Sequence, residues 1–195
     1  SNLNDAATTF YSNIKKLPAA HYLYYDLQND ELITNCYWNL KEQIQPKPIT
    51  ENDAIEQLQF LLNQSVQRRL RSDVVVGTSL SGGLDSSSIV AIIQKVQKST
   101  SNLKTFSAVF SGFEKDESAY IKQVVQKFGI DSFTTSPTAK DFEADFEKLL
   151  YHQEEPFQSS SIYAQYKVYE LAKQNGVTVL LDGQGADETF AGYTK

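Results

Sequence analysis

Val74-Val75-Val76-Gly77-Thr78-Ser79-Leu80-Ser81-Gly82-Gly83-Leu84-Asp85-Ser86-Ser87 joins a β-branched run to the start of a helical pattern. The run Val74 to Leu80 reads as a buried strand, because branched side chains pack well on a pleated surface. Two glycines then let the backbone turn sharply and approach a ligand closely. Ser86 to Lys98 follows with helical spacing, so unpaired N–H groups and a partial positive charge face that turn. Serine hydroxyls add donors, and such a nest suits a phosphate or pyrophosphate. It differs from the Walker loop, which needs GxxxxGK[ST], since no lysine is present. Asp85 suits phosphate that arrives with Mg²⁺, whose ligands are hard oxygens. A plain helix cap after a glycine turn is the competing reading of Asp85 and Ser86.

Outward from this stretch, strand-like and helix-like segments alternate. Ile55, Leu58, Leu62, Val66 and Leu70 have helical spacing, preceded by a capping-box pattern at Thr50 and Asp53. Downstream the pattern predicts a strand at Thr105–Phe110, a helix at Glu117–Phe128 stopped by Gly129, and a weak strand near Phe133. Helices follow at about 139–152 and 161–174, then a buried strand at Val177–Leu181. This alternation implies right-handed crossovers and a parallel, doubly wound α/β sheet covered on both faces. Ligands bind such sheets at the carboxyl ends of the strands. The first forty residues differ, being rich in aromatics. Tyr22–Leu27 and Leu32–Thr34 flank the turn Gln28-Asn29-Asp30 and predict a hairpin. A polar connector from Lys41 to Asn52, with Pro46 and Pro48, discourages regular structure and marks the boundary. The expected units are thus 1–49, a small β-rich remnant with its linker, and 50–195, the α/β part.

Composition narrows the class. Hydrophobic residues make up 41% of 195, ordinary for a globular chain that needs no disulfide or metal staple. One cysteine excludes an internal disulfide framework and fits a reducing, cytoplasmic setting. Cys36, beside Tyr37-Trp38, reads as a small packing residue rather than a nucleophile. The runs Val74–Val76 and Ile89–Ile93 are too short to cross a bilayer. Eighteen basic against twenty-four acidic residues give a net charge of −6, which argues against broad nucleic-acid binding. His21 and His152 lack metal-ligand spacing. Arg68, Arg69 and Arg71 crowd the end of the first long helix, where they complement its dipole. There is no methionine, and the chain reads as an excised piece of something larger.

Ser81-Gly82-Gly83-Leu84-Asp85-Ser86-Ser87 after a buried strand resembles the pyrophosphate loop of the N-type ATP pyrophosphatases, which cleave ATP between its α and β phosphates. A second loop, Asp182-Gly183-Gln184-Gly185-Ala186-Asp187-Glu188 with Phe190-Ala191-Gly192-Tyr193, is similar to the SGEGxDE…FxGY signature of asparagine synthetases. Phe106-Ser107-Ala108-Val109 lies between the two in the family's order. Leu17-Pro18-Ala19-Ala20-His21 … Tyr37-Trp38 looks like the end of that family's glutaminase domain, with its LPPGH…W pattern. The resemblance covers nearly the whole chain and implies an adenine nucleotide alpha hydrolase-like fold.

The same resemblance implies roles. Ser81, Gly82, Gly83, Asp85, Ser86 and Ser87 would hold the β and γ phosphates that leave as pyrophosphate. Asp85 and Asp187 would share Mg²⁺, which neutralises charge on the leaving group. Backbone at Ser79, Leu80, Val109 and Gly183 would border the adenosine, with Asp182 in the same nucleotide-binding set. Aspartate would be activated as β-aspartyl-AMP and amidated by ammonia from glutamine. Asp85, Asp187 and Gln184 are the candidate catalytic residues, ATP and Mg²⁺ the expected cofactors. The expected partners are a glutaminase domain of the same parent chain and small molecules, and a homodimer is compatible with them. In this signature Gln184 stands for the family's glutamate and Asp182 for its serine. Gln184 hydrogen-bonds but takes no proton. Other readings stay open: a related amidotransferase or β-lactam-synthetase-like ligase acting on another acid, or a non-catalytic ATP-binding module. The glutaminase nucleophile is an N-terminal cysteine, and Ser1 stands first here. This polypeptide alone is therefore expected to be inactive in synthesis.

Overall fold

A computed structural model of the chain describes residues 8–44, 48–97, 103–110, 112, 116–190 and 192. The chain divides into two units, Ser1–Thr50 with Leu150–Phe157, and Glu51–Leu149 with Gln158–Lys195.

The first unit is built on a hairpin. Strands β1 (His21–Asp26) and β2 (Glu31–Cys36) pair antiparallel, Tyr24 opposite Ile33. The Asp26 carboxylate accepts from the backbone N–H groups of Gln28 and Asn29, an Asx turn that reverses the chain. These bonds hold the carboxyl of Asp26 below its usual range. The sequence pattern puts Leu27 in the first strand; the turn claims it instead. The connector expected to be irregular contains a short helix, α1 (Leu40–Gln43), because the side chain of Asn39 caps the Lys41 N–H over 3.1 Å. Pro46 lies outside the described residues. Cys36, expected to pack, is exposed, and its Sγ donates to the carbonyl of Trp38. In the same unit Tyr11 Oη donates to the carbonyl of Glu154 (2.8 Å), and Lys16 pairs with Glu155 (3.2 Å).

The second unit is the expected α/β layer. It runs α2 (Glu51–Arg69), β3 (Val76–Ser79), α3 (Leu84–Val96), β4 (Lys104–Ala108), α4 (Ser118–Phe128), β5 (Asp131–Thr135), α5 (Ala139–Gln153), α6 (Ser161–Gln174), β6 (Val179–Leu180) and α7 (Ala186–Phe190). The last turn of α5 falls in the first unit. All the pairings in this sheet are parallel, and the strand order is β5-β4-β3-β6. Helix α2 begins directly after Thr50, as its pattern predicts, yet only Val66 of its apolar face is buried. Helix α4 ends at Gly129 in the left-handed conformation (φ 60°), the usual terminator.

Two core clusters sit on opposite faces of the sheet. One gathers Leu80, Val90, Ile93 and Ile121, with Val109 and Leu181 against it; the other gathers Phe106, Val168 and Ala172, with Phe133 and Leu180. Neighbours such as Leu180 and Leu181 fall in different clusters because strand side chains alternate between faces. Phe106 is fully buried and stacks on Phe133, with ring centroids 5.5 Å apart. Three expected strands are shorter than their apolar runs. Val74 and Val75 lie ahead of β3 and are exposed, and Val109 and Phe110 follow β4. Strand β6 keeps two residues, and Val179 is exposed because β6 closes one side of the described sheet. Helix α3 starts at Leu84, two residues earlier than its pattern suggests. Its expected end at Lys98 lies outside the described residues.

Candidate functional site

Strand β3 hands the chain to α3 through Leu80–Gly83. Leu80 anchors this turn: its N–H donates to the Phe106 carbonyl (2.9 Å), and its carbonyl accepts from Ser107 Oγ (2.5 Å). Gly82 has φ +89°, and a Cβ there would come 2.9 Å from Tyr120 Cβ, so this position needs glycine twice over. Ser81 Oγ lies 3.0 Å from Ser86 Oγ and accepts from the Gly83 N–H; Ser86 Oγ also accepts from the Ser81 N–H (3.2 Å). These bonds hold the turn in one shape at the start of α3.

The loop after β6 is brought to the same place by strand pairing. Leu181 N–H donates to the Gly77 carbonyl (2.9 Å), and Thr78 Oγ1 donates to the Leu181 carbonyl (2.6 Å). Asp182 then meets the end of β3: its carboxylate accepts from the Ser79 N–H over 3.2 Å and from Tyr169 Oη over 3.3 Å. The phenol of Tyr169 is pushed above its ordinary value by burial first and by the charge of Asp182 second. Gly183 packs on Asp85. At Gly192 a Cβ would overlap the Asp187 carboxylate, and the Gly192 N–H donates to the Asp187 carbonyl (3.0 Å). Ala191 and Tyr193 of that signature lie outside the described residues.

Nine of the residues singled out from the sequence line one cleft of about 500 Å³: Ser79, Leu80, Ser81, Asp85, Ser86, Asp182, Gly183, Gln184 and Asp187. That volume is in the range of small-molecule sites. Gly82, Gly83 and Ser87 form the turn and first helical residues beside it. Val109 stands outside the lining; it packs on the core, and its N–H is spent on the Thr135 carbonyl. Its neighbours Ala108 and Phe110 make that wall instead. The sequence reading missed Glu117 and the α6 wall with Gln165 and Val168, since nothing local marks a residue that tertiary packing alone carries there.

The lining has four carboxylates, from Asp85, Glu117, Asp182 and Asp187, and among the described residues no lysine, arginine or histidine. Within it Ser79 Oγ is buried without a hydrogen-bond partner. An acidic cleft would repel a bare polyphosphate, so an anion must arrive here with a cation. Among the described residues no group of three or more acidic, histidine or cysteine side chains could hold a metal by itself. One or two carboxylates completed by phosphate oxygens is how Mg²⁺ is usually held, and Asp85 with Asp187 fits that donor set.

The family model for asparagine synthase matches residues 57–195. This chain belongs to the asparagine synthase family. A putative glutamine-hydrolysing asparagine synthetase of Methanocaldococcus jannaschii is 40% identical over 186 residues, covering 95% of this chain and 35% of the relative. An asparagine synthetase of Bacillus subtilis is 32% identical over 205 residues, covering 96% and 26%. The chain thus spans about a third or less of the curated relatives it matches. Among solved structures, a U34-tRNA thiolase of Methanococcus maripaludis superposes with a TM-score of 0.50 at 18% identity, covering 68% of this chain and 48% of that one. That likeness is one of fold, the adenine nucleotide alpha hydrolase-like arrangement of a parallel sheet with flanking helices. Among the described residues no helix is long and apolar enough to cross a membrane.

Proposed function

We propose that this chain carries the ATP-activating half-site of an asparagine synthetase-type ligase, which joins an amino group to a carboxylic acid with release of AMP and pyrophosphate. The observation that carries the reading is the meeting of two signature loops, at Ser81–Ser87 and Asp182–Asp187, in one acidic cleft at the carboxyl ends of parallel strands. The Ser81–Ser87 turn binds the β and γ phosphates through backbone N–H groups and hydroxyls. Asp85 and Asp187 hold Mg²⁺, which supplies charge neutralisation as the pyrophosphate departs. Ala108 and Leu80 border the adenosine. The acceptor carboxylate attacks the α phosphorus, pyrophosphate leaves, and ammonia then displaces AMP. Fixed donors supply most of the rate, because they need no reorganisation when charge develops. Glutamine as the source of ammonia, from a glutaminase domain of the same protein, belongs to this proposal, as does a cytoplasmic setting.

A second reading changes the acceptor, and Gln184 favours it. An amide there keeps hydrogen bonds and lowers repulsion between anions, but offers no titratable oxygen. General-base help is typically worth ~10²–10⁴ in rate. The test is AMP formation by the full-length protein with ATP, ammonium and a panel of acids. Aspartate as the acid that drives AMP and asparagine formation together supports the first reading. AMP formation with another acid supports the second, and none with any acid defeats both. A large gain in asparagine formation from Gln184→Glu would mark a missing base.

A further inference from the structure

The two signature loops leave the sheet in the same way. Leu80 follows the last residue of β3 and Leu181 the last residue of β6, and each stands immediately before its loop. The Leu80 N–H donates to the Phe106 carbonyl (2.9 Å), and the next residue on that strand, Ser107, donates its hydroxyl back to the Leu80 carbonyl (2.5 Å). The Leu181 N–H donates to the Gly77 carbonyl (2.9 Å), and the next residue, Thr78, donates its hydroxyl back to the Leu181 carbonyl (2.6 Å). Thr78 Oγ1 also lies 3.1 Å from the Ser79 carbonyl, the longer of its two contacts. A backbone N–H is the ordinary donor to such a carbonyl in a parallel ladder. In both places a side-chain hydroxyl fills that role. Ser107 and Thr78 are buried, and burying a hydroxyl costs free energy unless it is bonded, so packing alone gives no reason for these residue types.

A third buried hydroxyl shows the same chemistry at the other end of the sheet. Thr105 Oγ1 donates over 3.3 Å to the carbonyl of Asp131, the first residue of β5. That bond lies at the amino end of its strand, away from both loops. Ser107 and Thr78 bond at carboxyl ends, where strand pairing stops. Because the peptide is planar, a carbonyl held in place fixes the plane of the peptide that follows it. The following residue is Ser81 in one clasp and Asp182 in the other. On the nucleotide reading above, on which this inference rests, the two loops bind one metal–phosphate complex together. We propose that Ser107 and Thr78 are positioning residues, which hold the Ser81–Ser87 turn and the Asp182–Asp187 loop in register for that complex. Ser107 acts through Leu80 and Thr78 through Leu181, since the single proton of each hydroxyl is spent on its carbonyl.

The experiment is titration calorimetry of the full chain with Mg·ATP, beside urea denaturation of the same proteins. Ser107→Ala and Thr78→Val should each weaken Mg·ATP about fivefold or more, the low end of what an unsatisfied buried acceptor costs. Thr78→Ser, which keeps the hydroxyl, should restore the affinity. Thr78→Ala is read in place of Thr78→Val if the added methyl group unfolds the chain. Thr105→Val is the control for a merely structural role. It removes a buried hydroxyl bond and should lower the denaturation midpoint, while its affinity stays within about twofold because its site is remote from both loops. Unchanged affinity in Ser107→Ala or in the Thr78 variants overturns the inference and leaves the nucleotide reading standing. So does an affinity that falls in Thr105→Val as far as in the other two. An unsubstituted chain that does not bind Mg·ATP overturns the nucleotide reading, and the inference with it.

Discussion

Gly183 approaches Asp85 so closely that a Cβ on the glycine would lie 3.2 Å from the Cβ of Asp85. The loop after β6 and the first turn of α3 therefore touch where the candidate site is built, and a side chain at Gly183 would crowd Asp85 and Ser86. Gly183→Val should push the two loops apart and cost at least tenfold in Mg·ATP affinity. Far-UV circular dichroism should stay unchanged, because the paired part of β6 ends before this residue. Unchanged affinity would mean that the loops need not touch for the cleft to work.

The buried face of α6 gives a prediction about stability. Phe106 is fully buried between the sheet and α6, stacked on Phe133. Phe106→Ala should remove about 3–5 kcal/mol of folding free energy, the usual cost of emptying an aromatic core position. Chemical denaturation would measure it as a lowered midpoint at constant slope.

A pH dependence follows from the clasp between α5 and α6. Tyr163 Oη donates to Asp145 Oδ2 (2.9 Å), and Lys167 Nζ lies 3.1 Å from the same oxygen and also pairs with Glu170. The bond from Tyr163, with the pairing to Lys167, holds the Asp145 carboxyl below its usual value against the opposing effect of burial. Burial, then Asp145, pushes the Tyr163 phenol up to about 12. A carboxyl depressed in the folded state contributes stability that is complete above the unfolded value, near 3.9, and is lost as pH falls through the folded value. Asp145→Asn should therefore flatten the acid limb of the stability profile below about pH 4. Parallel profiles for the two proteins would show that the pair contributes nothing.

Tyr169 offers a spectroscopic check on the other acidic contact. Its phenol should titrate above the ordinary 10, and Asp182→Asn should bring it down by removing a negative charge. Tyrosine side-chain carbon NMR would follow this one ring among the eleven tyrosines. No movement on substitution would place Asp182 away from the phenol in solution.

Much of this arrangement was legible in the sequence, and the omissions have common causes. Gly82-Gly83 before a run of serines announces a strand-to-helix turn, since backbone freedom and N–H donors are local properties. Strand lengths were overestimated because an apolar run does not reveal where pairing stops: Val74 and Val75 precede the ladder and are exposed. The α1 turn was hidden because Asn39 capping outweighs the polar composition around it. That Leu150–Phe157 groups with the N-terminal residues has no local mark at all. The same holds for Gln165 and Tyr169, whose spacing on α6 reads as an ordinary helix face until Asp182 is placed beside them.

The central claim is that two signature loops form one acidic cleft that takes ATP only with a divalent cation shared by Asp85 and Asp187. Titration calorimetry of the chain with ATP, in excess Mg²⁺ and then in excess chelator, tests it most directly. The account predicts saturable binding with Mg²⁺, loss of most of that affinity in chelator, and a fall of about tenfold or more for Asp85→Asn in Mg²⁺. Equal binding with and without the metal, or an Asp85→Asn chain that binds Mg·ATP as the unsubstituted one does, would contradict it and leave Asp85 a first-turn residue that only complements the dipole of α3.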